Sequence, residues 1–156
     1  MAAGGDPEAI RAHARRLRTM AEDVTRTGDR VTSGAGIEWV GVAADRYRER
    51  LAEHGVRVTS ARDEMLGTAT RLDRLADELE ARQAAIKRAM QFVEDRIDDA
   101  RRTVNRLGGV AEDVLTGAER AARDAARGVL GTVSGGLPSV GAPDWSALAD
   151  RLGRIG

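Results

Sequence analysis

Cysteine is absent from this chain, which excludes disulfides, thiolate nucleophiles and sulfur-ligated metals and leaves the redox compartment open. Large rings are scarce: Trp39, Trp145, Tyr47 and Phe92 are the whole aromatic complement of 156 residues. Lysine is scarcer still, Lys87 standing alone among 25 basic residues, and these are matched by 25 acidic ones. Arginine alternates with Asp and Glu along the same segments, so the positive charge is neutralised locally and a nucleic-acid partner is not expected. Long apolar runs are missing too. The longest uncharged run, residues 128–143, is broken by Gly and Pro and falls short of the ~20 apolar residues that cross a bilayer. Residues 1–10 have neither the basic start nor the apolar centre of a conventional signal peptide.

Catalytic constellations are equally sparse. His13 and His54 fall in different helical segments, and neither has a second histidine or a carboxylate cluster at metal-ligand spacing. Asp63/Glu64, Glu94/Asp95 and Asp98/Asp99 are neighbours in sequence, which on a helix turns the two carboxyls of each pair away from one another. They read as solvated helix charges. No strand precedes a Gly-rich loop, so a phosphate cradle has no scaffold. The expectation is a non-enzymatic protein without metal or cofactor.

What the chain does contain is helical periodicity. Asp6 is a good N-cap and Pro7 suits the first helical position, where its missing N–H costs nothing. Ile10, Ala14, Leu17, Ala21, Val24, Gly28 and Val31 then follow at alternating spacings of four and three, predicting one amphipathic helix that ends near Thr32. Arg11, Arg15, Arg18, Glu22, Arg26 and Asp29 occupy its other face.

The second pattern is longer. Leu51, Val58, Met65, Leu72, Leu79, Ile86, Val93, Ala100 and Leu107 lie seven apart without interruption, the spacing of a coiled-coil seam. Arg82 and Arg96 interrupt the seam where an apolar residue would be expected, which argues against a tightly zipped dimer there. Gly108-Gly109 marks the end. At 1.5 Å per residue the first helix is about 40 Å long and the second, if straight, about 100 Å, so the first covers less than half of the second. Residues 72–107 must be covered by a fold-back near Gly67, by a third helix or by another chain. Leu72, Leu79, Ile86 and Val93 are the candidate partner interface.

A third, covering helix is predicted with Val110, Val114, Ala118, Ala121, Ala125 and Val129 on one face. Residues 134–143 read as a flexible linker, since Gly135, Gly136, Pro138, Gly141 and Pro143 oppose regular structure. Asp144 then caps a short amphipathic segment, 144–156, with Trp145, Leu148, Leu152 and Ile155 on one side. This tail either folds back on its own bundle or docks a partner. The domain reading is thus a hairpin over 1–107, a covering helix over 108–133, the linker and the tail.

Between the first two helices stands Trp39-Val40-Gly41, followed by Ala43, Ala44 and Tyr47. A bulky ring beside a residue free to take unusual backbone angles suits a helix–helix corner. The string W-x-G-x-A-A with its downstream aromatic resembles the WXG family of type VII (Esx-like) secretion substrates, over roughly residues 6–107. That resemblance implies an all-α helical hairpin with the Trp-x-Gly at the bend. It also implies a homodimer or a heterodimer with a similar helical protein, with a type VII secretion ATPase or a toxin as further partners, and secretion without a conventional signal peptide. The alternative is a cytoplasmic helical adaptor or chaperone for a larger secreted toxin. One departure is clear. The family's tail signal is a Tyr followed four residues later by an acidic residue after the second helix, whereas here the only tyrosine is Tyr47, with Leu51 four residues on.

Overall fold

The structure is a computed structural model that describes residues 5–33 and 40–155. Its elements, in chain order, are α1 (Pro7–Ser33), α2 (Val42–Leu107), α3 (Gly117–Val133) and α4 (Asp144–Gly153), with no strand among the described residues. The protein is all-α with a long second helix. Contacts group it into two compact units, Asp6–Leu79 and Glu80–Gly156 together with the first five residues, so α2 contributes to both.

The first unit is a helical hairpin. The Glu8 backbone N–H donates to the Asp6 carboxylate at 2.9 Å, the N-cap bond expected ahead of Pro7. Arg11 pairs with Asp77 at 2.8 Å and Arg18 with Asp73, while a Cβ placed on Gly28 would lie 2.8 Å from Val58 Cγ1. Numbers rising along α1 therefore meet numbers falling along α2, and the helices are antiparallel. Ala14 and Ala21 are buried, and Ala69, Ala76, Ala44 and Leu51 are the buried positions of α2 in this unit. Small side chains at the contact let the two backbones approach closely. The larger apolar residues, Ile10, Leu17, Val24, Val58, Met65 and Leu72, are only half-buried.

The second unit has a thicker core. Val93, Ile97 and Ala100 of α2, Ala126 and Val129 of α3, and Trp145 and Leu152 of α4 form one buried cluster, with Ile86, Met90, Leu130, Leu148 and Ile155 packed around it. Three helices share this core, so large side chains are fully covered.

The start and face of α3 differ from the sequence expectation. Val110 and Val114 precede the helix, and Val114 is 70% exposed. Ala118 and Ala121 are exposed, and the inward residues are Arg123, Ala126 and Val129. A capping box sets the start. Thr116 Oγ1 accepts from the Glu119 backbone N–H at 3.2 Å, and the Glu119 carboxylate accepts from the Thr116 N–H at 2.9 Å, which fixes the first turn at 117; the packing of Ala126 and Val129 with Val93, Ile97 and Ala100 sets the inward stripe. Nor is the Gly/Pro segment a free tether. Trp145 Nε1 donates to the Ser139 carbonyl at 2.8 Å, tying the connection to the helix that follows it.

Candidate protein-interaction surfaces

Gly41 has φ +122°, and its carbonyl accepts from the N–H groups of Ala44 at 2.9 Å and Asp45 at 3.2 Å, so it opens α2. A Cβ there would meet nothing within 4 Å; the requirement is for the backbone angle and not for space. Ala44 is buried, whereas Ala43 and Tyr47 are exposed. Trp39 lies outside the described residues.

Beyond the bend the hairpin is two-sided. On one side Val24, Gly28 and Val31 of α1 and Leu51, Gly55 and Val58 of α2 line an open groove of about 470 Å³, with His54 and Asp23 among the polar groups beside it. The heptad spacing carries Ile10 and Leu17 along the same line of α1 as Val24 and Val31. On the other side lie the Arg11–Asp77 and Arg18–Asp73 pairs, with Thr25, Thr59 and Arg62 further along. These ion pairs are partly exposed, and such pairs contribute roughly 0–1 kcal/mol each. They favour the register more than they hold the unit together.

The sequence-predicted interface residues divide between the two units. Leu72 and Leu79 belong to the hairpin unit and are half-buried, as is Ile86 in the second unit. Val93 is 0% exposed, covered within its own chain. The tail residues converge on that same cluster: Trp145 and Leu152 are buried, with Leu148 and Ile155 at its edge. Arg96, read as an interruption of the seam, uses its Nη2 to bind the Ile155 carbonyl at 2.7 Å.

One buried charge escaped the sequence reading. Arg123, 6% exposed on the inner face of α3, donates to the Glu112 carboxylate at 2.6 Å. This ties the connection between α2 and α3 to the core, and the bond from Arg123 holds the Glu112 carboxyl below its ordinary value. Nothing in the local pattern singled out Arg123, because the alanines around it leave the inward face of α3 undefined until it packs. Among the described residues no group of three or more His, Asp or Glu is placed to hold a metal ion, and no helix is long and apolar enough to cross a membrane.

A family model described as "Putative T7SS secretion signal domain" matches residues 3–107, two thirds of the chain. The chain belongs to this family. Its signal domain comprises α1, the bend and all of α2, and the match stops where α2 stops, leaving α3 and α4 beyond it. No curated protein and no solved structure matches the chain.

Proposed function

We propose that this chain is a non-enzymatic, WXG-like type VII secretion substrate or targeting module that travels as a helical dimer. The partner is a second copy or a similar helical protein. Family membership supports secretion through a type VII system. The observation that supports pairing is the incomplete cover of the hairpin: alanines and Leu51 are its buried residues, while Ile10, Leu17, Val24, Val58, Met65 and Leu72 stay half-exposed along its apolar side. A two-helix layer leaves one face of each large side chain in water, and a second hairpin laid on that side removes it. The interface then joins Leu72 and Leu79 to the α1 residues, and the Gly41 end of the hairpin, with the exposed Ala43 and Tyr47, is the face for a secretion ATPase or a toxin partner.

The test is export together with mass. Wild type and Leu17→Asp/Val58→Asp are expressed in cells with a working type VII system, and the purified proteins are weighed by light scattering. Secretion of the wild type as a dimer, with the variant monomeric and retained, is expected. Retention of the wild type in cells beside a secreted toxin would instead favour the cytoplasmic adaptor, and a wild-type monomer that is exported normally would remove the dimer from the reading.

A further inference from the structure

The apolar side of the hairpin is bordered by two rows of charge. On α2 the border is Arg57, Glu64, Arg71 and Glu78, seven residues apart and alternating in sign. On α1 it is Arg16, Asp23 and Arg30, with the same spacing and the same alternation. Each row lies beyond the apolar residues of its own helix, on the side away from the other helix, as charged positions flank a coiled-coil seam, and every member is exposed. The Gly28–Val58 approach and the Arg11–Asp77 pair fix how the two rows are aligned. On that register Arg30 lies level with Arg57, Asp23 with Glu64 and Arg16 with Arg71, so both borders carry the same sign at the same height.

We infer that the partner of this face is a second copy of the chain, laid on it antiparallel about a two-fold axis that passes between Glu64 and Arg71. This rests on the dimer reading above and adds to it the identity of the partner and its direction. Two hairpins stacked face to face by a two-fold axis have two arrangements. With the axis along the helices, α2 lies over the α1 of the other copy. Like charges then meet at each level: Arg57 with Arg30, Glu64 with Asp23, and Arg71 with Arg16. With the axis across the helices, each helix lies antiparallel on its own copy. An alternating row read backwards presents the opposite sign at each position, so Arg57 meets Glu78 and Glu64 meets Arg71, while Arg16 meets Asp23 on the other border. One axis satisfies both borders, because Arg16 and Asp23 stand at the heights of Arg71 and Glu64, and the symmetry makes each contact twice.

The border residues are available for these contacts. Among the described residues Glu64, Arg71 and Glu78 have no ion pair within the chain, while Arg57 and Asp23 engage near neighbours on their own helices, Glu53 at 3.6 Å and Arg26. Exposed pairs of this kind are individually weak. The apolar residues between the borders therefore supply the affinity, and the repeated charge contacts choose the direction. A row that is its own complement when reversed needs no second protein to match it, which is why the pattern selects a second copy.

Full-length chains are compared by sedimentation and by oxidation in air. The protein has no cysteine of its own, so Thr68→Cys, beside the axis at an exposed position of α2, reports whether two copies of this position meet. A disulfide-linked dimer is expected from Thr68→Cys and none from Ala61→Cys, which the axis places about 20 Å from its own copy. Glu64→Arg is expected to weaken the dimer about tenfold at low salt with helix content unchanged, and Arg71→Glu added to it to restore the affinity. In the parallel arrangement Glu64→Arg would face Asp23 and tighten the dimer. A dimer without the Thr68→Cys link, or one that Glu64→Arg leaves unchanged or tightens, overturns the arrangement while the dimer reading stands. A wild type that stays monomeric and is secreted only beside a different helical protein overturns the second copy while type VII secretion stands.

Discussion

Two glycines of the hairpin illustrate how position decides the effect of one methyl group. Gly28 and Gly55 both lie within helices, where replacing Gly by Ala favours the helix by about 1 kcal/mol. At Gly55 a Cβ meets nothing within 4 Å, so Gly55→Ala is expected to stabilise the protein by about 0.5–1 kcal/mol. At Gly28 it would lie 2.8 Å from Val58 Cγ1, and a β-branched side chain in a helix has essentially one rotamer, so Val58 cannot swing aside. The helices must separate, and Gly28→Ala is expected to cost about 1–2 kcal/mol net. Val58→Ala in the same chain relieves the clash. A double-mutant cycle by urea denaturation measures this, and additive effects would show that the close approach is not what makes Gly28 matter. The sequence places Gly28 on the apolar stripe, but only the antiparallel register sets it opposite Val58. Trp145→Ala is expected to cost about 3–5 kcal/mol, since the ring is 3% exposed and its removal leaves a cavity and an unpaired Ser139 carbonyl.

Among the elements, α3 depends most on its N-terminus. The capping box defines where it begins, so Thr116→Ala is expected to cost about 0.5–2 kcal/mol in thermal or chemical denaturation. Two carboxylates near this end titrate below their ordinary value: Glu112 through the bond from Arg123, and Glu119 through bonds from the Thr116 backbone and hydroxyl. A group whose pKa is lower in the folded state contributes stability that is present above the unfolded value, about 4.5, and is lost as pH falls through the folded value. Melting temperature should therefore be insensitive to these groups between pH 7 and 5 and fall below about pH 4.5. Glu112→Gln should start lower at pH 7 and fall less on acidification. An acid profile unchanged by Glu112→Gln and Glu119→Gln would assign the loss to other groups. For this element the sequence reading placed the helix but not its face, because an alanine-rich segment carries little periodic contrast. With Ala118, Ala121, Ala122, Ala125 and Ala126 all available, hydrophobic spacing alone does not choose among stripes.

For the whole molecule the prediction is that association follows the hairpin and not the second unit. Leu17→Asp is expected to weaken dimerisation by at least tenfold with little loss of helix, since Leu17 is half-exposed. Val93→Asp should unfold the second unit, since Val93 is 0% exposed in a core already complete within the chain. Sedimentation and circular dichroism on the two variants distinguish these outcomes, and a dimer indifferent to Leu17→Asp would move the interface elsewhere.

Local patterns by themselves determined the all-α class with its long second helix, the Asp6-Pro7 start of α1, the glycine at position 41 and the link to type VII secretion, because caps, backbone angles and apolar periods act over a few residues along the chain. What covers each stretch of α2 was a matter for the tertiary structure. The seven-residue repeat runs unchanged from Leu51 to Leu107, yet α1 lies along its first part, while α3 and α4 close over Val93, Ile97 and Ala100. A repeat specifies that a face must be buried, and burial lowers the free energy alike whether the cover comes from the same chain or from another. Residues as distant in sequence as Val93 and Leu152 meet only because the connections after Leu107 and Val133 bring α3 and α4 back onto that face.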